Sequence, residues 1–302
     1  MQPLYSIIIP HYNIPSLLRR CLDSIPHRDD VQVIVVDDKS KEEDLLELKS
    51  IESSYPSYIF IYMSVNGGGG KARNIGLNRA EGHYIIFADA DDFFNDCIDS
   101  ILDDYIDKDY DQIFFKANSV DTETYALSNR ADHLNRYIDN YLCGKDPNAS
   151  QLRYLFGEPW SRMVKRSFIE KHHIRFEETI IHNDTAFGYL TGYYSEHIWA
   201  DSRPLYCVTT RQGSVSVTTS VERIMTRIAV FSRAEKFLRL NNIETIPNAH
   251  YDQLARLVRC LHFSYFNQGV NVMLSLGFSR VHIYKKVSYK LWRMFKYKFY
   301  KS

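Results

Sequence analysis

Four short apolar runs, Tyr5–Pro10, Val31–Val36, Tyr58–Met63 and Ile85–Phe87, each end in a polar cluster and are separated by stretches of helical character. That alternation constrains the fold most, because neighbouring parallel strands need a crossover connection and a helix is its usual form. Ser16 to Ile25 carries Leu17, Leu18, Cys21, Leu22 and Ile25 at helical spacing, and further helices are expected from about Glu42 to Ser53 and from Lys71 to Ala80. The expected class is α/β, with a central, mostly parallel sheet flanked by helices. In such sheets ligands sit beyond the carboxyl ends of the strands. Here those ends carry Pro10-His11-Tyr12-Asn13, Asp37-Asp38, Asn66 with Gly67 to Gly70, and Asp89 to Asp92. Four polar clusters should therefore converge on one edge.

The last cluster is the most demanding chemically. Asp89, Asp91 and Asp92 crowd three carboxylates into four residues, and strand alternation sends Asp89 and Asp91 to one side. Like charges so close raise one another's pKa unless a cation lies between them. A hard divalent ion that keeps several waters and meets substrate phosphates through one or two carboxylates suits such a place. A solvated turn that closes a strand is the competing reading. For the glycine run, a G-x-x-x-x-G-K-[ST] phosphate loop fails, since Ala72 follows Gly70-Lys71 and Val65 stands where the first glycine should be. Gly67-x-Gly69-x-x-Ala72 matches a dinucleotide fingerprint with an acid, Asp89, further on, but that fold places its glycines after the first strand and needs one acid, not three. Otherwise the run lets backbone at Gly69 approach a ligand, with Lys71 and Arg73 near for phosphate charge.

Ser6-Ile7-Ile8-Ile9-Pro10-x-Tyr12-Asn13, Val35-Val36-Asp37-Asp38-x-Ser40, Lys71-Ala72-Arg73-Asn74-x-Gly76 and Ala80-x-Gly82-x-Tyr84-Ile85-x-Phe87-x-Asp89-x-Asp91-Asp92 together resemble the family 2 glycosyltransferases of the GT-A fold, of the bacterial polysaccharide or glycolipid type. The resemblance extends over about the first two hundred residues. It implies a nucleotide-sugar donor, a UDP-sugar first, whose base and ribose meet Pro10, Tyr12, Asn13 and Asp38. Gly69, Lys71 and Arg73 would lie on the donor's phosphate side. Asp89 and Asp91 would be the D-x-D pair that holds Mg2+ or Mn2+ against the diphosphate, with Asp92 in the metal set, supporting the site or binding the sugar.

Inverting members of the family take a proton from the acceptor hydroxyl with a carboxylate that follows a glutamate and precedes an aromatic residue. In Ile181-His182-Asn183-Asp184-Thr185-Ala186-Phe187, Asp184 matches that base while Asn183 stands in the usual place of Glu. Helix capping is the alternative role for Asn183 and Asp184. Trp160, in Glu158-Pro159-Trp160-Ser161, matches the segment that backs the acceptor pocket and would either stack on a sugar or lie in the core. In Pro204-Leu205-Tyr206 to Ser216, Arg211 is the expected diphosphate contact of a closing loop. His172, His173 and His182 read as surface histidines rather than metal ligands.

Charge balances at 37 basic against 37 acidic residues, so nothing in the total draws the chain to nucleic acid. Five scattered cysteines without a C-x-x-C pair fit a reducing cytoplasm. The opening strand without a charged leader, and the lack of a long apolar run, predict neither a signal peptide nor a membrane span. The end of the chain departs from neutrality. After Asp252 there is no acidic residue, while ten Lys and Arg are interleaved with Tyr289, Trp292, Phe295 and other aromatics. This suits an anionic membrane surface on the cytoplasmic face, or else a helix packed on the domain with its basic side in water.

These features predict a GT-A catalytic domain over 1–220, with a nucleotide-sugar half (1–95) and an acceptor half (96–220), and a helical C-terminal appendage over 221–302. The expected activity is inverting, metal-dependent sugar transfer to a hydroxyl of a glycan or lipid-linked glycan in cell-surface polysaccharide synthesis. A catalytically silent nucleotide-sugar-binding scaffold at the membrane is the alternative. A nucleotidyltransferase lacks its usual glycine- and arginine-rich signature here, since His11-Tyr12-Asn13 follows the first strand.

Overall fold

A computed structural model describes residues 2–210, 220–244 and 248–299. Chain contacts divide it into two compact units, Met1–Glu178 with Ala186–Ser214, and Thr179–Thr185 with Val215–Ser302. The first unit contains strands β1 (Tyr5–His11), β2 (Val31–Asp37), β3 (Ile59–Tyr62), β4 (Tyr84–Phe87), β5 (Phe93–Phe94), β6 (Gln112–Asp121), β7 (Arg162–Lys165) and β8 (Ile198–Thr210). Its helices are α1 (Pro15–Asp23), α2 (Glu42–Ser54), α3 (Gly68–Arg79), α4 (Ile98–Asp104), α5 (Asp132–Leu142), α6 (Ser150–Tyr154), α7 (Arg166–Lys171) and most of α8 (Thr185–Tyr194).

The described strands form one sheet in the order β3-β2-β1-β4-β7-β6-β8-β5. The expected parallel arrangement holds for β3-β2-β1-β4 and again for β6 with β8, while β7 runs antiparallel to both β4 and β6. The central runs lack polar alternation because both sheet faces are covered. Ile7, Ile9, Val33, Val35 and Ile86 join one core with Leu18 and Leu22 of α1 and Leu48 of α2; Ile8, Ile34, Val36, Ile85 and Phe87 join the other with Ala72 and Leu77 of α3. Strand order reverses between β1 and β4. That switch opens a crevice at their carboxyl ends, where the chain places His11–Asn13 and Asp89–Asp92.

The glycine run departs from its expected form. Gly68, Gly69 and Gly70 are the first turn of α3, not a loop before it. Gly68 has φ 82°, a left-handed value that suits glycine. Further along the same helix, a Cβ on Gly76 would fall 2.4 Å from Ile8 Cγ2, so a hydrogen there sets how closely α3 lies on β1.

In the second unit, α9 (Val221–Leu240), α10 (Ala249–Arg259), α11 (Phe263–Ser275) and α12 (Arg280–Phe299) pack Ile228, Tyr251, Leu254, Met273, Ile283 and Val287 into a core of their own. Within it Glu235 lies 2.6 Å from His250 Nε2 and accepts from Arg239 Nε at 2.7 Å. Burial opposes the Glu235 charge, but His250 and Arg239 outweigh it and hold the carboxyl below its usual range. No described helix is long and apolar enough to cross a membrane.

Gly76→Ala should destabilise the first unit by about 1–3 kcal/mol, the usual cost of overpacking. Thermal unfolding reads this, and an unchanged midpoint would show that α3 can shift away from β1 without loss.

Candidate active site

The ends of β1 and β2 are tied together by a buried histidine. His11 Nε2 accepts the Ile14 amide at 3.3 Å, so the ring's proton is on Nδ1, which donates to Asp37 Oδ1 at 2.9 Å. Asp37 also accepts from Ser40 Oγ at 2.5 Å and from the Ser40 amide at 3.0 Å. Burial works against the Asp37 charge, yet the bonds from His11 and Ser40 hold its carboxyl below the ordinary value. Asn13 completes the stitching. Its amide donates to Ser40 Oγ and its Oδ1 accepts the Lys41 amide, both at 2.9 Å. The side chain of Asn13 thus helps build the loop, and asparagine tolerates the left-handed φ of 56° found there. Pro10 lies within β1, opposite Val36. Tyr12, which follows β1, keeps 48% of its surface exposed and belongs to neither core.

Asp38 has a task that its position alone does not reveal. One oxygen accepts the Gly67 amide at 2.6 Å and the other the Gly68 amide at 2.7 Å, which caps α3 across 30 residues of chain. Burial raises its carboxyl above the ordinary value in spite of these two bonds. Contact with a nucleotide base, the role expected of Asp38, would have to use the remaining lone pairs. With the cap taken, the Gly69 amide in the first turn is among those that no carbonyl of the helix can accept. Lys71 extends along the same turn, its Cδ close to Gly67. A helix start of this kind suits a phosphate.

Arg73 lies beside the aspartate turn. Its guanidinium meets Asp89 Oδ1 at 2.5 Å and lies 5.4 Å from the Phe176 ring centroid, so it supplies a counter-charge to that turn. The reason is crowding: Asp89, Asp91 and Asp92 repel one another, and α3 brings a cation to the nearest of them. The same turn is held from two other sides. Arg20 of α1 donates to the Asp91 carbonyl at 2.5 Å, Thr209 Oγ1 donates to that carbonyl at 2.8 Å, and the Asp89 amide donates to Tyr206 Oη at 2.8 Å. Sequence reading missed Arg20 and Thr209; both act through backbone, which leaves no signature in the side-chain pattern.

Asp92 turns away from solvent. It is 3% exposed, and one carboxylate oxygen accepts the Thr209 amide at 2.7 Å. Burial first, then the charges of Asp89 and Asp91, push its carboxyl well above the usual range. A group so turned inward braces the turn. Among the described residues no three of His, Cys, Asp and Glu converge as ligands for an ion. A metal that takes two carboxylates and completes its shell with phosphate and water still fits Asp89 and Asp91.

Trp160 is 4% exposed and stacks on Tyr206 at 5.5 Å, so the expected acceptor platform is part of the core. Asp184 stands half-buried in the turn that leads into α8, after His182, whose Nε2 accepts from Arg227 Nε at 3.2 Å. It clusters with the helical unit, and the aspartate turn with the first. Arg211 lies outside the described residues.

The family model described as glycosyl transferase family 2 matches residues 6–172. Relatives include a poly(ribitol-phosphate) beta-glucosyltransferase of Bacillus spizizenii, 40% identical over 93 residues that make up 29% of this chain and 15% of that protein. The uncharacterized glycosyltransferase EpsJ of Bacillus subtilis is 27% identical over 60% of this chain and 53% of its own. The chain thus spans about half or less of the length of these relatives. Among solved structures, Staphylococcus aureus TarS 1–349 in complex with UDP-GlcNAc superposes with a TM-score of 0.64 at 19% identity, over 96% of this chain and 89% of that one. The mannosyltransferase PcManGT of Pyrobaculum calidifontis, with GDP-Man and Mn2+, gives 0.56 at 13% identity, over 96% and 74%. These likenesses bear out the GT-A architecture, and with the matched family model they establish that this chain belongs to glycosyl transferase family 2.

Proposed function

We propose that this chain transfers a sugar from a nucleotide-sugar, a UDP-sugar first, to a hydroxyl of a glycan or lipid-linked glycan, with inversion, in cell-surface polysaccharide synthesis on the cytoplasmic side of a membrane. The observation that carries the reading is the β1/β4 switch. There an exposed Tyr12, the capped start of α3 and the turn that carries Asp89 and Asp91 follow strands whose ends lie on one edge of the sheet. A UDP-sugar and a GDP-sugar bound by structures of the same architecture support a nucleotide-sugar donor.

In this reading Tyr12 packs on the base, with Asp38 near it, and the α3 start with Lys71 faces the diphosphate. Mg2+ or Mn2+, held by Asp89 and Asp91, would neutralise the charge that develops on the departing nucleoside diphosphate. Arg73 and the turn contacts keep those two carboxylates in place before the donor arrives. The acceptor oxygen forms its bond to the anomeric carbon as the bond to the diphosphate oxygen breaks, and its proton passes to the Asp184 carboxylate. No covalent intermediate on the enzyme is required. Arg211 is proposed to meet the diphosphate. Asn183, in the place where the family commonly has Glu, favours a second reading: a chain that binds nucleotide-sugar without turning it over.

Asp184→Asn should leave nucleotide binding intact and lower transfer about 100-fold or more, the scale of a lost general base; unchanged turnover would remove Asp184 from the mechanism. Asp91→Ala should abolish the Mn2+ dependence of UDP binding in a calorimetric titration. A variant that still binds UDP more tightly with Mn2+ than without would show that Asp91 is not a ligand.

A further inference from the structure

The exposed face of α12 is not explained by sugar transfer. Ile283 and Val287 enter the core of the helical unit, and Lys290, 9% exposed, turns inward to donate to Asp252 Oδ2 at 2.7 Å and Asn248 Oδ1 at 3.0 Å. That anchored lysine sets the rotation of the helix. Positions 281, 285, 289, 292 and 296 then fall on one outward stripe, at the 3.6-residue repeat. They are Val281, Lys285, Tyr289, Trp292 and Lys296, all exposed, with Lys286 and Arg293 beside them. Val281 is 80% and Trp292 54% exposed, large values for side chains that gain from leaving water. Lys296 Nζ sits 5.2 Å from the Trp292 ring centroid, and Tyr289 lies 6.0 Å from the same tryptophan.

We propose that this face of α12 docks on the surface of an anionic lipid bilayer. Aromatic rings beside lysines match the boundary between headgroups and acyl chains, where the rings are half-buried and the ammonium groups stay with the phosphates. The charge decides between occupants. Every ionisable side chain of the stripe is cationic, and no acidic residue follows Asp252 anywhere in the chain. A second copy packed face to face would oppose like charges, whereas an anionic leaflet attracts each of them. The surface serves the membrane-side location in the functional reading above and in that respect rests on it.

Flotation of the full chain with phosphatidylglycerol/phosphatidylcholine vesicles, against phosphatidylcholine alone, tests the assignment. The chain should float only with the anionic vesicles. Lys285→Ala and Lys286→Ala should each lower partition about fivefold, the effect of one cation near such a surface, and Trp292→Ser should lower it further. These positions are exposed, so circular dichroism should show unchanged helix content. Stabilisation by UDP, read on the same samples, should be equal in all variants, which separates failure of docking from failure of the transferase reading. Equal flotation by the variants, equal flotation with neutral vesicles, or no flotation while the stripe instead supports self-association or binds an oligonucleotide would each overturn the proposal.

Discussion

Three carboxylates in four residues cannot persist at the end of β4 without compensation, and much of the first unit is organised around supplying it. Arg73 brings a positive charge from α3, Arg20 fixes the Asp91 carbonyl from α1, and Thr209 of β8 donates both its hydroxyl and its amide. Tyr206, itself pressed against Trp160, holds the Asp89 amide. These groups come from three separate elements, α3, α1 and β8. The turn can therefore form only when the sheet, α1 and α3 are all in place, and the site is a product of the tertiary fold rather than of a local motif.

Charge is divided within that turn. Asp92, deeply buried and bonded to backbone, carries the repulsion as a carboxyl pushed toward its neutral form, while Asp89 is met by the guanidinium of Arg73. The arrangement resembles the way paired carboxylates elsewhere take different roles from different surroundings. A second division holds at β2, where Asp37 serves the buried His11 and Ser40 while the adjacent Asp38 caps α3. Adjacent aspartates point to opposite sides of the strand end, so one faces the core loop and the other the start of α3.

The parallel half of the sheet is legible in the chain because buried parallel strands read as continuous apolar runs, and the clusters at their ends do fall on one edge of it. What sequence could not give were partners distant in the chain. Glycine is a poor helix former, so the run at Gly67–Gly70 read as a loop; a carboxylate 30 residues earlier makes it a helix start. Trp160 had two readings until Tyr206 was seen against it. The motif around Arg73 shows its charge and hides its partner, the carboxylate of Asp89. The antiparallel insertion of β7 between β4 and β6 has no local signal either, since pairing direction depends on which strand is adjacent.

The central claim is that the β1/β4 edge is a site for a nucleoside diphosphate and its metal. The most direct test is the thermal unfolding of the full chain with UDP, with and without Mn2+, and with GDP, dTDP and CMP as comparisons. A nucleotide at about 100 times its dissociation constant should stabilise the protein by roughly 2.7 kcal/mol. The account predicts that shift for UDP and its dependence on Mn2+. A folded protein whose unfolding is unmoved by all four nucleotides would contradict it.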